Sequence, residues 1–226
     1  MTTATLPVIG ILGGTGALGK GLAIRWAAAG YPLVIGSRDA ARAEAAAGSI
    51  SAGAGAAAVR GMDNLAVARV AEIAVVTVPF ASHLAILREV RRELSGKILI
   101  DTTVPLVPPK VATVQLPPEG TAAVAAQRLL GSTVRVVSAF QNVAAHKLQT
   151  GQPVDCDVLV CGDDKAARDM VIGMAKAIGL RGIDAGALAN SVAAEALTSI
   201  LIGINRRYKV DGAGIRITGD FAAPGS

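Results

Sequence analysis

Three glycines close to the N-terminus have the spacing that lets a backbone approach a phosphate group. Gly14, Gly16 and Gly19 form the pattern G-x-G-x-x-G between a predicted strand and a predicted helix. There Gly14 would allow a tight turn, Gly16 the close approach of a pyrophosphate, and Gly19 the close packing of the helix on the strand. The free N–H groups at the helix start would then face the phosphates. The pattern predicts a dinucleotide site, although an ordinary glycine-rich turn can show the same letters.

The end of the second predicted strand indicates which dinucleotide is bound. An NAD-binding chain usually places a carboxylate there, which accepts hydrogen bonds from the ribose hydroxyls. Here the strand ends in Ser37-Arg38, and Arg42 follows one helical turn later. A hydroxyl and two guanidinium groups would hold a 2′-phosphate, and the neighbouring Asp39 can cap the next helix instead. These residues predict NADP, against the alternative that both arginines are solvated surface charges.

No group of side chains in the sequence has the pattern of a strong acid–base centre. His83 lies at a predicted helix start, where a histidine is more often structural or solvated than catalytic. His146 is interpreted as a surface residue, and Asp163-Asp164 as the N-cap of a helix. Glu195 lies on a long apolar helix, so it needs a partner if it is buried. We therefore expect no catalytic side chain.

Composition narrows the class of protein and the kind of partner. The chain has 226 residues, 52% of them hydrophobic, which is enough for one full core. A net charge of +5 suggests an anionic partner, but 3% aromatic residues and scattered basic ones argue against nucleic acid. Cys156 and Cys161 lack the further ligands that a metal site needs. The N-terminus has no basic residue typical of a signal peptide, and the apolar run at residues 197–204 is too short to span a bilayer. We expect a cytoplasmic protein, not bound to a membrane, whose partners are small-molecule cofactors only.

Apolar runs of strand length alternate with helical patterns along the chain. Strands are predicted at residues 8–12, 33–36, 57–60, 73–78, 97–101, 134–139 and 158–160, and helices at residues 17–29, 40–47, 64–70, 82–94, 165–178 and 189–206. This alternation predicts an α/β fold with a doubly wound, mostly parallel sheet of the Rossmann type. The proline-rich segment 105–118 would be a loop at the carboxyl end of a strand, where such folds bind ligands.

Several longer motifs, in order along nearly the whole chain, resemble the NADPH-dependent reductases of the deazaflavin coenzyme F420. The motifs are LGGTGALGKGL at residues 12–22, GSR at 36–38, VPF at 78–80, VSAFQNV at 137–143, CGDD at 161–164, DAGALAN at 184–190, INRRYK at 204–209 and GIRIT at 214–218. The resemblance implies hydride exchange between NADP(H) and coenzyme F420, usually in a homodimer. We expect an NADP-binding Rossmann domain over residues 1–138 and a smaller C-terminal domain over residues 139–226 for the second cofactor and dimer contacts.

Position by position, the resemblance also implies which residues bind the two cofactors. Residues expected at the pyrophosphate, together with the glycine of the turn, are Gly14, Thr15, Gly16, Ala17 and Leu18. Those expected at the 2′-phosphate are Ser37, Arg38 and Arg42, and those expected to line the rest of the NADP cleft are Phe80, Val104 and Ala145. On the deazaflavin side the resemblance implies Gln141, Asn142 and Thr198.

Two positions depart from the archaeal form of this family. Gln141 stands where a histidine is found, and Val192 stands where an arginine is common. They keep two alternatives open: an NADPH-dependent reductase that uses a flavin or another acceptor, and a non-catalytic NADP(H)-binding protein. The basic residues 206, 207 and 209, with Arg216, could receive the anionic parts of F420 or could simply solvate a helix end.

Overall fold

Eight strands form one sheet within the part of the chain that the computed structural model describes, residues 5–54 and 59–221. The strands are β1 (Ile9–Leu12), β2 (Leu33–Ser37), β3 (Val59–Asp63), β4 (Ile73–Val76), β5 (Ile98–Asp101), β6 (Arg135–Ser138), β7 (Asp157–Gly162) and β8 (Arg181–Asp184). The helices are α1 (Ala17–Ala28), α2 (Ala40–Ala54), α3 (Asn64–Val70), α4 (Phe80–Val90), α5 (Ala122–Leu130), α6 (Ala145–Leu148), α7 (Lys165–Ala177) and α8 (Ser191–Tyr208).

The strand order is β3-β2-β1-β4-β5-β6-β7-β8, and every neighbouring pair is parallel except β6 with β7. The chain moves outward in one direction from β1 to β2 and β3, and in the other direction from β4 onward. The first connections therefore diverge at the carboxyl ends of β1 and β4, which is where an open α/β sheet forms its ligand crevice. This topology confirms the predicted α/β fold of the Rossmann type.

Helices cover both faces of the sheet, and this explains why its central strands are apolar throughout. Along β1, Ile9 and Ile11 pack into one core cluster with the residues of α1 and α7, while Leu12 packs into a second cluster with those of α3, α4 and α5. Strands buried on both faces show continuous apolar runs rather than alternation. The sheet is thus a rigid platform, and the loops at its carboxyl edge are left for ligands.

Trp26 ties three elements together beneath that carboxyl edge. It is fully buried on α1, and its indole N–H donates to the Met174 carbonyl on α7 at 3.1 Å. Its ring meets Phe140 edge to face, with 5.7 Å between the ring centroids. Phe140 has a φ of +71°, a conformation that L-residues rarely adopt, so its packing holds the chain in a sharp turn directly after β6.

Several predicted element bounds differ from the observed ones. The strand predicted at residues 57–60 is β3, which begins at Val59; residues 57 and 58 lie outside the described residues. The predicted helix 82–94 begins earlier, at Phe80 after Pro79, and ends in a 3-10 turn over Arg91–Leu94. Helix α5 was not predicted, because an alanine-rich segment after a proline-rich loop gives little periodicity; Thr121 caps it by accepting from the Val124 N–H. The antiparallel step from β6 to β7 follows Ser138, where the expected division into domains lies.

One helical segment among the described residues, Leu188–Tyr208, is long and apolar enough to cross a membrane by length and composition alone. Only 33% of its window is buried. This is weak evidence for a span, since core and interface helices pass the same test. The segment carries the buried Glu195, whose contacts are described below.

Candidate functional site

The glycines of the turn after β1 have different structural roles. Gly13 adopts the left-handed conformation of the turn, with φ at +72°. A Cβ there would lie 2.4 Å from Val78 on the neighbouring strand's exit. The Gly14 N–H donates back to Gly36 O at 2.9 Å and so closes the turn onto β2. Gly19 packs as predicted, since a Cβ on it would lie 2.8 Å from the Gly14 Cα.

Helix α1 begins at this turn with its N–H groups available to a ligand. Its N-cap is Gly16, which has no side chain to bond the first-turn N–H groups, and no acidic residue lies in that first turn. The first N–H groups of a helix lack intrahelical acceptors, and the helix dipole makes this end partially positive. The start of α1 therefore fits a phosphate, and its N-cap, Gly16, carries no Cβ that would keep the phosphate away.

The end of β2 carries the positive charge that the sequence predicts. Arg38 and Arg42 are exposed, and among the described residues neither forms an ion pair within 4.0 Å. The carboxylate of Asp39 accepts from the N–H groups of Ala41 and Arg42, so it caps α2 as predicted. Its charge is thereby directed to the helix start, and the two guanidinium groups are left for an anion.

These two features face one cleft of about 650 Å³. Of the residues predicted for NADP, those that line it are Thr15, Gly16, Ser37, Arg38 and Arg42. Those that do not line it are Gly14, which is buried behind the turn, Ala17, Leu18, Phe80, Val104 and Ala145. Phe80 follows the lining residue Pro79 directly, whereas Ala145 begins α6, whose neighbours line the second cavity described below.

Sequence reasoning missed other residues that shape this cleft. Asn64, at the start of α3, is almost completely buried, and its side-chain oxygen accepts from the Gly13 N–H at 3.2 Å. This hydrogen bond connects α3 to the turn between β1 and α1. Thr77 and Glu89 also line the cleft. The position of Asn64 directly after the aspartate N-cap of α3 could have drawn attention to it. Nothing in the sequence indicates that its side chain contacts a turn 51 residues away.

A second cavity of about 170 Å³ lies between the loop after β6 and helix α8. It is lined by the three residues predicted for the deazaflavin, Gln141, Asn142 and Thr198, and also by Asn205 and Ala213. Asn142 donates to the Ala194 carbonyl at 2.8 Å and to Thr198 Oγ1 at 3.1 Å. Thr198 Oγ1 in turn donates to the Gln141 carbonyl at 3.0 Å, so hydrogen bonds connect the three predicted residues between the loop after β6 and α8.

A buried ion pair lies behind the exits of β4 and β5. His83 and Asp101 have no exposed side-chain surface, and Nε2 of His83 is 2.7 Å from Oδ2 of Asp101. Burial lowers the pKa of His83, but the Asp101 carboxylate and, more weakly, the charge of Glu195 hold it above its ordinary value. His83 is thus a buried, paired histidine of the structural kind, rather than a side chain open to a ligand.

Glu195 on α8 finds its partners at the start of α5. Its carboxylate accepts from the Ala122 N–H at 2.7 Å and from the Ala123 N–H at 3.2 Å, and the residue is 1% exposed. Burial raises the pKa of Glu195 to about 7, although the two N–H groups oppose that rise. The partner demanded by a buried carboxylate is therefore a helix N-terminus.

The remaining candidates of the sequence have ordinary roles. Asp164 caps α7 by accepting from the Ala167 N–H, as predicted. His146 is exposed and pairs with Asp211 at 2.8 Å. Cys156 and Cys161 are free and buried, and no group of three His, Cys, Asp or Glu side chains able to hold a metal occurs among the described residues.

A doubly wound sheet with a glycine-rich turn between β1 and α1 and an arginine pair after β2 gives the chain a Rossmann-type fold with the features of an NADP site. The family described as NADP oxidoreductase, coenzyme F420-dependent, matches residues 8–105. The F420-dependent NADP reductase of Methanocaldococcus jannaschii is 40% identical over 219 residues, 93% of this chain and 97% of that protein. The chain belongs to this family.

Two further comparisons agree. The F420-dependent NADP reductase of Methanothermobacter marburgensis is 41% identical over 219 residues, again 93% of this chain and 97% of that protein. A solved structure of a hypothetical protein from Sinorhizobium meliloti superposes with a TM-score of 0.67 at 23% identity, covering 84% of this chain and 89% of that one. The structural likeness at this identity supports the fold alone.

Proposed function

We propose that this chain is an oxidoreductase that exchanges a hydride between NADP(H) and the deazaflavin coenzyme F420. The observation that carries the proposal is about 40% identity, along 93% of the chain, to reductases named for both cofactors. The cleft and the second cavity support it, since one has the chemistry of a phosphorylated dinucleotide site and the other is lined by the residues expected for the deazaflavin.

The proposed binding of NADP is supported by the positive charge of the cleft and by the glycines of the turn. The start of α1 would receive the pyrophosphate on its uncapped N–H groups. Ser37, Arg38 and Arg42 would receive the 2′-phosphate, because they line the cleft. Asp39 lines the cleft as well, but its carboxylate already accepts from N–H groups at the start of α2. Bidentate guanidinium contacts to a phosphate are charge-assisted and favour NADP over NAD.

On the second side, Gln141, Asn142 and Thr198 would hold the acceptor against the cleft. When both are bound, the two cofactors would supply the hydride chemistry, with the nicotinamide and deazaflavin rings as its two ends. The protein's own contribution is to hold two rings at near-attack distance and to keep water out, which needs no nucleophile and no metal. The absence of a predicted catalytic side chain is consistent with this division of labour.

We also propose a homodimer, with residues 139–226 as the part that carries the second cofactor and the dimer contacts. Support comes from α8, where Ile200 is 48% exposed and where Ile202 and Ile204 are half-buried. An apolar helix face left at the surface is typical of an interface. Light scattering should give twice the mass of the chain, and Ile200→Arg should give the monomer mass; a monomeric native protein would contradict the proposal.

We expect the protein to work in the cytoplasm, since its proposed cofactors are small soluble molecules.

The test of the activity is anaerobic absorbance of the purified protein mixed with NADPH and oxidised F420. NADH replaces NADPH in one control, and FMN replaces F420 in another. We expect rapid bleaching of F420 with NADPH and much slower bleaching with NADH. Tight NADPH binding without bleaching would refute the F420 assignment. Oxidation of NADPH by FMN would then favour a flavin reductase, and no oxidation by either acceptor would favour a non-catalytic NADP(H)-binding protein.

A further inference from the structure

Asp101, at the carboxyl end of β5, forms hydrogen bonds that connect three separate segments, and the proposed function assigns no role to them. The residue is fully buried. Its Oδ2 pairs with His83 on α4 at 2.7 Å, and its Oδ1 accepts from the Thr103 N–H at 2.9 Å. Its backbone carbonyl accepts from Gln141 Nε2 at 2.9 Å and from the Ala139 N–H at 3.1 Å. One residue thus joins α4, the exit of β5 and the loop after β6.

Two of these segments, α4 and the loop after β6, each reach one of the two cavities. His83 follows Ser82, which lines the NADP cleft. Gln141 lines the second cavity, and its carbonyl accepts from Thr198 Oγ1 at 3.0 Å on the opposite wall. Three of the buried polar side-chain atoms that lack a protein partner also lie on this group: Nδ1 of His83, Oγ1 of Thr103 and Oε1 of Gln141. Natural proteins seldom retain such atoms without a use.

We propose that Asp101 is a positioning residue that fixes the wall of the NADP cleft relative to the wall of the second cavity. This inference rests on the proposed function, because its consequence is the alignment of two cofactors. The hydrogen bonds of Asp101 are buried and reach three segments, so they hold those segments more rigidly than surface contacts would. Phe140, held at positive φ by its packing on Trp26, directs the chain so that Gln141 returns to Asp101.

Hydride transfer is sensitive to such positioning. A misplacement of about 1 Å costs about 10²-fold in rate. Neither cavity is formed by Asp101 itself, so its loss should spare the binding of each cofactor measured alone. The expected signature is therefore a slow hydride step with nearly unchanged dissociation constants, which general destabilisation of a binding site would not give.

The test compares Asp101→Ser with Asp101→Asn. Serine cannot reach His83, whereas the asparagine amide has the same shape, accepts from Thr103 through its oxygen and donates to a neutral His83. We expect Asp101→Ser to slow the single-turnover hydride step by about 10²-fold, with cofactor dissociation constants within about threefold of the wild type. Asp101→Asn should restore most of the rate. Asp169→Asn, in an exposed ion pair on α7, is the matched control and should match the wild type.

Two further measurements keep the proposal open to refutation. If Asp101→Ser does not fold, His83→Leu against His83→Gln makes the same comparison, since glutamine keeps a donor. Hydrogen exchange needs no second cofactor: NADP should slow exchange at residues 139–143 in the wild type and not in Asp101→Ser. Equal slowing by serine and asparagine, or unchanged coupling in the exchange experiment, would overturn the positioning role. A wild type that never reduces F420 would instead overturn the proposed function, and the exchange result would still decide on Asp101.

Discussion

Replacing the buried Glu195 by glutamine should make the protein's stability less sensitive to pH. Burial raises the pKa of Glu195 from 4.5 to about 7, which corresponds to about 3 kcal/mol. Below pH 4.5 the carboxyl is protonated in both folded and unfolded chains, so it contributes no difference. As the pH rises from there to about 7, the unfolded chain loses its proton first, and the folded state is progressively disfavoured.

The wild type should therefore lose about 3 kcal/mol of unfolding free energy relative to Glu195→Gln between pH 4.5 and pH 8. His83 adds to this trend in the same direction. Its raised pKa stabilises the fold at and below pH 6.5, and that stabilisation is lost as the pH rises through its folded-state pKa. Because Glu195 helps to raise that pKa, the glutamine variant loses less of this kind of stability.

Urea unfolding of both proteins at a series of pH values measures the difference. Glu44→Gln, at an exposed position on α2, is the control and should track the wild type. The opposite slope, with the wild type gaining on the glutamine variant as the pH rises, would refute the reasoning. It would mean that the N–H groups of Ala122 and Ala123 outweigh the cost of burying the charge.

Three further predictions concern the cleft and the core. Arg38→Ala should raise the KM for NADPH about 10- to 100-fold, which corresponds to the loss of one charge-assisted contact, and should leave the KM for NADH almost unchanged. The control Arg128→Ala, at an exposed position on α5, should alter neither KM. An equal rise in both KM values after Arg38→Ala would contradict this prediction. Gly19→Ala should cost about 1–3 kcal/mol in urea unfolding, because its Cβ would lie 2.6 Å from Thr77 Oγ1, and an unchanged midpoint would show that the turn relaxes. Burial raises the pKa of Cys161 to about 11, so a disulfide reagent at pH 8 should label it only after unfolding; rapid native labelling would show that the thiol is reachable.

The local part of this architecture was predictable from the sequence, because it depends on residues close together in the chain. The alternation of strands and helices, the glycine turn and the Asp39 cap all follow from short-range patterns. The bounds of α4 shifted because Pro79 serves as its N-cap, a role open to several nearby residues. The sequence does not show which glycine of the turn is left-handed, since adjacent glycines carry no signal that separates them.

The long-range part was not predictable, because its contacts join residues far apart in sequence. Glu195 meets Ala122 across 73 positions, and Gln141 meets Asp101 across 40. Glu195 stands out in the sequence by its type and Gln141 by the family resemblance, but the sequence identifies the partner of neither. Helix α5 itself was missed, since its alanines fit many environments. The residue type shows that a buried polar side chain needs a hydrogen-bond partner, but the identity of that partner depends on the topology of the fold.

The chain contains a single tryptophan, and its contact with Phe140 makes it an optical reporter of the loop after β6. Trp26 is fully buried, and it touches Phe140, the residue directly before Gln141. Its emission should be blue-shifted and almost free of background from other indoles. A change in the loop after β6 should therefore alter the intrinsic fluorescence of the unlabelled protein, so that motion near the second cavity can be followed in stopped flow without any added dye.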